Sequence, residues 1–476
     1  MNTSGASAEG IAARLERLPI TNYQRGIFYV IATAYFFDSM DLGAMTFLLG
    51  SIRTEFNLSA AEAGFLSSLS FFGMFFGAGA SGMLADRLGR KAVFQSSMII
   101  WGIGSIACGL APDAQLLGVA RVLLGIGMGM EFPIAQSLMT ELIPTKNRGR
   151  YVAYLQGAWP VGFVCVGLLS LAVLSITNWR WVFLIEGVSA VAVLVIRRYV
   201  PESPRWLASR GRYAEAEAVM SKIEAAVRAK LGGASLPLVK PLPPVEAGIT
   251  GFRVLWSGVF AKRTAMAWGH WFFIMLGYYG MLTWLGALLQ AKGFPVTKSV
   301  YYTVLISLAG IPGFLTTGWL VEVWGRKKTL AGSLVASAVA CYLYGASTTQ
   351  TELIVFGLAM QFCMFGMGSA MYAYVPELYP TRIRATGSGF ASAAGRVGAL
   401  LGPFIVGLIF PVTGQAGVFA LGAGAFIAAA MLVMFLGIET KGKTLEEISE
   451  AVSGISTAAS GGQAAEAPGS LVRAVT

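Results

Sequence analysis

Two separate motifs occur twice in this chain, and both recur at one offset. Gly82, Asp86, Arg87, Gly89, Arg90 and Lys91 sit in a pattern that returns 236 positions later around Gly318, Glu322, Gly325, Arg326 and Lys327. Glu141-Leu-Ile-Pro144-Thr-Lys-Asn-Arg148 returns as Glu377-Leu-Tyr-Pro380-Thr-Arg-Ile-Arg384, again 236 positions on. A shared offset for independent motifs means that the chain is a duplicated unit. Between the motifs, residues 63–85, 92–112, 151–179 and 329–351 carry no charged side chain. Each run reaches the roughly 20 residues that a membrane-spanning helix needs. Residues 397–438 suffice for two helices, broken near Pro411 and Gly414.

Composition agrees with a membrane protein: 55% of the 476 residues are hydrophobic and 12% are charged, about half the charged share of a soluble domain. The net charge of +11 does not point to nucleic acid. Arg87, Arg90, Lys91, Lys146, Arg148, Arg326, Lys327, Arg382 and Arg384 fall in short connections on one side, which positive-inside topology assigns to the cytoplasm. Cys108, Cys165, Cys341 and Cys363 lie in apolar runs without a C-x-x-C pair and read as packing residues. No apolar signal core precedes the first span, so the sequence predicts an uncleaved, cytoplasmic amino terminus.

Hydropathy places about twelve spans near 26–50, 61–85, 92–112, 115–138, 151–175, 180–200, 264–290, 298–321, 329–348, 352–375, 386–411 and 416–438. This divides the chain into a cytoplasmic segment 1–25, a first half 26–200, a cytoplasmic loop 201–263, a second half 264–438 and a cytoplasmic tail 439–476. The loop should hold an amphipathic helix over 212–230, followed by a linker through Pro237, Pro241, Pro243 and Pro244. The Gly-, Ala- and Ser-rich tail has no periodic apolar pattern and is expected to be disordered after about residue 450.

The paired G-x-x-x-[DE]-x-x-G-R-K loops resemble the signature of major facilitator superfamily transporters. Arg121 with Gly125, Gly127 and Gly129, then Pro201-Glu-Ser-Pro-Arg205, Pro376-Glu-Leu-Tyr-Pro380 and Glu439-Thr-Lys441, resemble sugar-porter and metabolite:proton-symporter signatures. Phe37-Asp38-Ser39-Met40-Asp41, Tyr278-Tyr279-Gly280 and Ile383-Arg384-Ala-Thr-Gly387 are most similar to niacin-type and aromatic-acid symporters. The aromatic-acid branch usually has glycine where this chain has Ser39. The resemblance implies an all-α membrane protein, twelve helices in two six-helix halves, with a midplane cavity and alternating access. It implies no cofactor, no ATP and no enzymatic activity. The partners it implies are a small-molecule substrate, protons and the lipid bilayer of a plasma membrane, the bacterial inner membrane first, with the protein acting as a monomer.

Ionisable groups inside spans usually face a cavity, a partner or a proton path. Asp38 and Asp41 share a helical face at i, i+3, and two close carboxyls favour holding a proton between them. Glu131 offers a second proton site, and Arg121 could neutralise Asp38 or Asp41 or form a structural ion pair. Arg396 presents a planar fork suited to a carboxylate and is the first choice for an anionic cargo. The alternatives for it are a pair with Glu322 or with a backbone carbonyl. Trp159, Tyr278, Tyr279, Trp284, Tyr372 and Tyr374 could line an aromatic wall or simply pack. Gln136, Gln156 and Gln361 add possible hydrogen bonds. His270 reads as an interfacial aromatic-belt residue and Glu186 as a packing or gating residue on a peripheral helix.

The signature loops themselves, with Gly82, Asp86, Arg87, Gly89, Arg90, Lys91, Glu141, Arg148, Glu322, Gly325, Arg326, Glu377 and Arg384, are read as gates. In this reading Asp86 or Glu322 binds a helix amino terminus or a basic partner. Gly437-Ile-Glu-Thr-Lys-Gly442-Lys443-Thr444 matches the phosphate-loop expression but leaves an apolar helix, where no α/β domain can form. Gly125-x-Gly127-x-Gly129 lies within a span, where small residues permit close helix contact. The rival readings are a sugar-type or polyol facilitator or symporter and a membrane sensor without turnover.

Overall fold

The computed structural model describes residues 8–197, 200–239, 252–379 and 381–441, and every regular element among them is helical. The first half contains α1 (Ala8–Glu16), α2 (Asn22–Glu55), α3 (Ala60–Leu88), α4 (Arg90–Leu110), α5 (Ala114–Leu142), α6 (Thr145–Gln156), α7 (Ala158–Leu174) and α8 (Arg180–Arg197). The connecting segment holds α9 (Pro204–Ser209), α10 (Tyr213–Lys230) and α11 (Phe252–Leu255). The second half contains α12 (Gly258–Ala291), α13 (Val296–Ser307), α14 (Gly310–Trp324), α15 (Arg326–Ala346), α16 (Gln350–Glu377) and α17 (Thr381–Leu436).

Local chemistry sets these limits. Thr21 with Gln24, Ser59 with Glu62 and Thr349 with Glu352 form capping boxes that start α2, α3 and α16, each satisfying orphan N–H groups of a first turn. Gly157 interrupts one rod between α6 and α7, and Leu308 with Ala309 interrupts another between α13 and α14. Gly414, at φ 62°, bends α17 into two arms near the break expected from sequence. Nine helical stretches among the described residues are long and apolar enough to cross a membrane, and the last, Thr386–Leu436, holds both arms.

Helices approach closely where the sequence supplies glycine. A Cβ on Gly125 would lie 2.1 Å from the Ser70 carbonyl oxygen, and one on Gly129 would lie 2.3 Å from that of Met74. The Gly125, Gly127, Gly129 run therefore seats α5 against α3 and α4, as its position in a span implied. The two halves meet where α2 faces α12, α3 faces α17 and α7 faces α13. At the end remote from the signature loops this contact is with backbone. A Cβ on Gly64 would lie 2.6 Å from the Pro403 oxygen, and one on Gly286 would lie 2.5 Å from the Thr46 oxygen. At these points the two halves pack backbone against backbone.

The helix expected over 212–230 is α10, and it packs with α9 and with α1, which the sequence reading treated only as a terminal segment. Ile11, Leu15, Leu18, Trp206, Met220 and Ile223 are buried together. Arg14 pairs with Glu217 at 2.5 Å and Glu224 at 2.8 Å, Arg17 pairs with Glu224 at 2.7 Å, and Arg205 pairs with Glu16 at 2.5 Å. Burial alone would push the Glu224 carboxyl up, but the hydrogen bonds from Arg14 and Arg17 outweigh it and hold the group below its ordinary range. A carboxyl depressed on folding stabilises the docked state above its unfolded value and loses that contribution as the pH falls through the folded value. Spin labels on α1 and α10 should therefore report one short separation at pH 7 that broadens as the pH is taken below the ordinary carboxylate range.

Candidate functional site

Among the described residues, five acidic or basic side chains lie inside the first half, each at most 2% exposed: Asp38, Asp41, Arg121, Glu131 and Glu186. They do not form one group. Asp41 and Glu186 place their carboxyls side by side, with Arg121 the neighbouring cation and Glu131 a more distant acid. The Trp101 indole N–H donates to Asp41, and Ser97 Oγ donates to Glu131 at 3.4 Å. The Arg121 guanidinium lies 5.9 Å from the centre of the Phe183 ring, and its Nε and Nη1 meet no acceptor among the described residues. The cluster thus draws on α2, α4, α5 and α8.

Asp38 turns elsewhere. Its electrostatic neighbours are Tyr35, Tyr279 and Arg396, so the two aspartates of α2 serve different surroundings despite their i, i+3 spacing. Arg396 on α17 donates from Nη1 to the Met74 carbonyl at 3.2 Å, across the boundary between halves. This realises the backbone-carbonyl partner foreseen for it, while Glu322 is engaged by Arg326. Tyr372, Tyr279 and Tyr35 surround the guanidinium, and Phe132 lies 5.9 Å away as a cation–π partner.

Beside Tyr279 and Tyr372 is a cavity of about 60 Å³, also lined by Gln156, Trp159, Tyr278, Met275, Met364 and Met371. Ligand pockets are usually about 300 Å³ or more, so a ring-sized cargo requires the halves to part. The lining is aromatic and thioether-rich, with few polar atoms, which suits a flat apolar ring better than a polyhydroxyl compound.

The signature loops fold into two matching networks. In the first half Arg90 binds Asp86 at 2.7 Å and Glu141 at 3.4 Å. In the second, Arg326 binds Glu322 at 3.0 Å and Glu377 at 3.1 Å. Gly89 and Gly325 begin α4 and α15 at φ 101° and 98° and supply no side-chain cap. Glu202 accepts from Arg90 N at 3.0 Å and Lys91 N at 3.2 Å, while Glu439 accepts from Arg326 N at 2.9 Å. These two carboxylates, rather than the exposed Asp86 and Glu322, hold the helix amino termini. A Cβ on Gly89 would lie 2.3 Å from Glu202, so glycine is required for both its φ and its clearance. Glu202→Ala and Glu439→Ala should each remove about 1 kcal/mol of capping, read as a lower thermal midpoint of the purified protein.

A family profile for sugar and other transporters matches residues 27–452. The chain belongs to this transporter family. It is 37% identical over 442 residues to the niacin transporter of Acinetobacter baylyi, covering 92% of this chain and 99% of that one. It is 31% identical over 399 residues to the gallate transporter of Pseudomonas putida, covering 83% and 87%. Its fold matches the inward-open xylose transporter of Escherichia coli at a TM-score of 0.71 and 20% identity, covering 90% of this chain and 100% of that one. The major facilitator fold is therefore shown.

Within this transporter several sequence candidates fall elsewhere than expected. Gln136 is exposed and apart from the cavity lining. Gln361 is fully buried outside that lining, whereas Gln156 joins it. Tyr374 bonds the Ile438 carbonyl at 2.7 Å and Trp284 bonds that of Pro403 at 3.0 Å, so both act in packing. His270 lies within α12, about 18 Å along the helix from its first residue, Gly258. It is wholly buried, its Nδ1 2.8 Å from the Met266 carbonyl oxygen. Gly82 and Arg87 are exposed at the loop, and Arg384 donates to the Tyr379 carbonyl at 3.4 Å. The Arg148 side chain, Pro380, and the tail from residue 442 lie outside the described residues. Glu186, set aside as peripheral, is the main partner the sequence reading passed over.

Proposed function

We propose that this transporter couples entry of a proton to uptake of a small ring-bearing carboxylate, in the manner of a symporter working as a monomer. The observation that carries the reading is the separation of two charged centres. Arg396 adjoins the aromatic cavity between the halves, while Asp41, Glu186 and Arg121 form a closed cluster inside one half. With two carboxyls for one guanidinium in a site walled from lipid and water, a net charge costs several kcal/mol. One bound proton restores neutrality. Arg396 offers a fork to the cargo carboxylate, and Tyr278, Tyr279, Tyr372 and Trp159 offer faces to its ring.

The relatives named as niacin, gallate and 4-hydroxybenzoate transporters support a ring acid as the cargo class. The loop charges support a bacterial inner-membrane setting with both termini cytoplasmic and the boundaries 1–25, 26–200, 201–263, 264–438 and 439–476. A sugar cargo is favoured by the family description and opposed by the sparse polar lining. Counterflow into vesicles preloaded with nicotinate, benzoate, gallate, lactate or xylose separates the two. Exchange of the ring acids is expected, and exchange of xylose alone would replace this reading with the sugar one.

A further inference from the structure

Ser39 stands between the two aspartates of α2 and is wholly buried. Its Oγ–H donates to the Trp159 carbonyl on α7 at 2.5 Å. Trp159 lines the central cavity, and its indole N–H faces the Tyr278 hydroxyl on α12, across the boundary between halves. The space around this bond is tight: a Cβ on Gly162 would lie 2.3 Å from the Phe36 carbonyl oxygen and 3.0 Å from Ser39 Cβ. The hydroxyl is thus the polar link between the helix that carries Asp38 and Asp41 and a side chain of the cargo wall. It acts just past Gly157, where the α6–α7 rod is interrupted and the first N–H groups of α7 lack the usual intrahelical partners.

We propose that Ser39 is a positioning residue: its hydrogen bond fixes the Trp159 main chain, so that the indole presents its face to the cargo and its N–H to Tyr278. This rests on the ring-acid reading of the cavity, though the bond itself is independent of the cargo. A chain with glycine at this position would keep the fold and lose the restraint, which makes position 39 a determinant of cargo preference.

The test is a double-substitution cycle with Ser39→Ala, which removes only the hydroxyl, and Trp159→Phe. Ser39→Ala alone is expected to raise KM for the best transported compound about fivefold, the worth of one hydrogen bond, with Vmax within about twofold. In a Trp159→Phe background the same change should alter KM by less than about twofold. A full fivefold effect persisting there, or no KM change in the single variant, overturns the proposal. Hydrogen exchange of peptides spanning 157–163 supplies a cargo-free check: faster exchange in Ser39→Ala is expected, and unchanged exchange argues against the restraint. Should the wild-type protein carry a sugar instead, the ring-acid reading fails, while the cycle on that sugar still decides the role of Ser39.

Discussion

Arg396→Ala should lower uptake of a ring carboxylate at least about thirtyfold. Removing one partner of a buried, hydrogen-bonded charge pair costs about 2 kcal/mol or more, and 2 kcal/mol is a factor of about thirty. The loss should appear as a raised KM for the acid. The uncharged amide of the same ring should be affected far less, because it never used the charge. Arg396→Lys keeps the positive charge but not the planar fork, so it should fall between the wild type and alanine. The bond to the Met74 carbonyl is a separate matter. If it alone mattered, acid and amide would suffer equally, and that result would remove Arg396 from the cargo site.

The second large effect concerns coupling. An electroneutral symporter moving one proton with one anion can accumulate cargo about tenfold for each pH unit across the membrane. Asp41→Asn should collapse this ratio to equilibrium while counterflow, which needs no net proton movement, continues. Glu186→Gln should do the same, because its carboxyl faces Asp41. Both substitutions preserve shape and remove charge, so misfolding is a lesser concern than with alanine. Full accumulation in both variants would exclude the cluster from the proton path.

Much of the architecture is legible in one dimension because membranes enforce simple rules. The 236-residue repeat, the apolar runs and the loop cations each follow from what lipid tolerates, and the break at Gly414 was visible as a glycine close to a proline. Pairing between distant helices was not legible. Asp41 and Glu186 meet only once α2 and α8 are packed, and no local motif links the two. The i, i+3 rule treated Asp38 and Asp41 as a pair on one face and took no account of what stands opposite, which separates them: Arg396 for one and Glu186 for the other. Glu202 and Glu439 lie 237 positions apart, one more than the repeat, so the matching offset did not expose them. Their role follows from Gly89 and Gly325, which leave helix amino termini without caps of their own. That His270 is enclosed in the bundle beside the Met266 carbonyl follows from helix packing, which no pattern around it reveals.

The most direct measurement of the coupling claim uses purified protein in liposomes with an imposed inward proton gradient, following labelled nicotinate and internal pH together. The account predicts accumulation above the external concentration with matching internal acidification, and loss of both when the gradient is collapsed. Equilibration of nicotinate with no movement of protons, unchanged by the gradient, would contradict it.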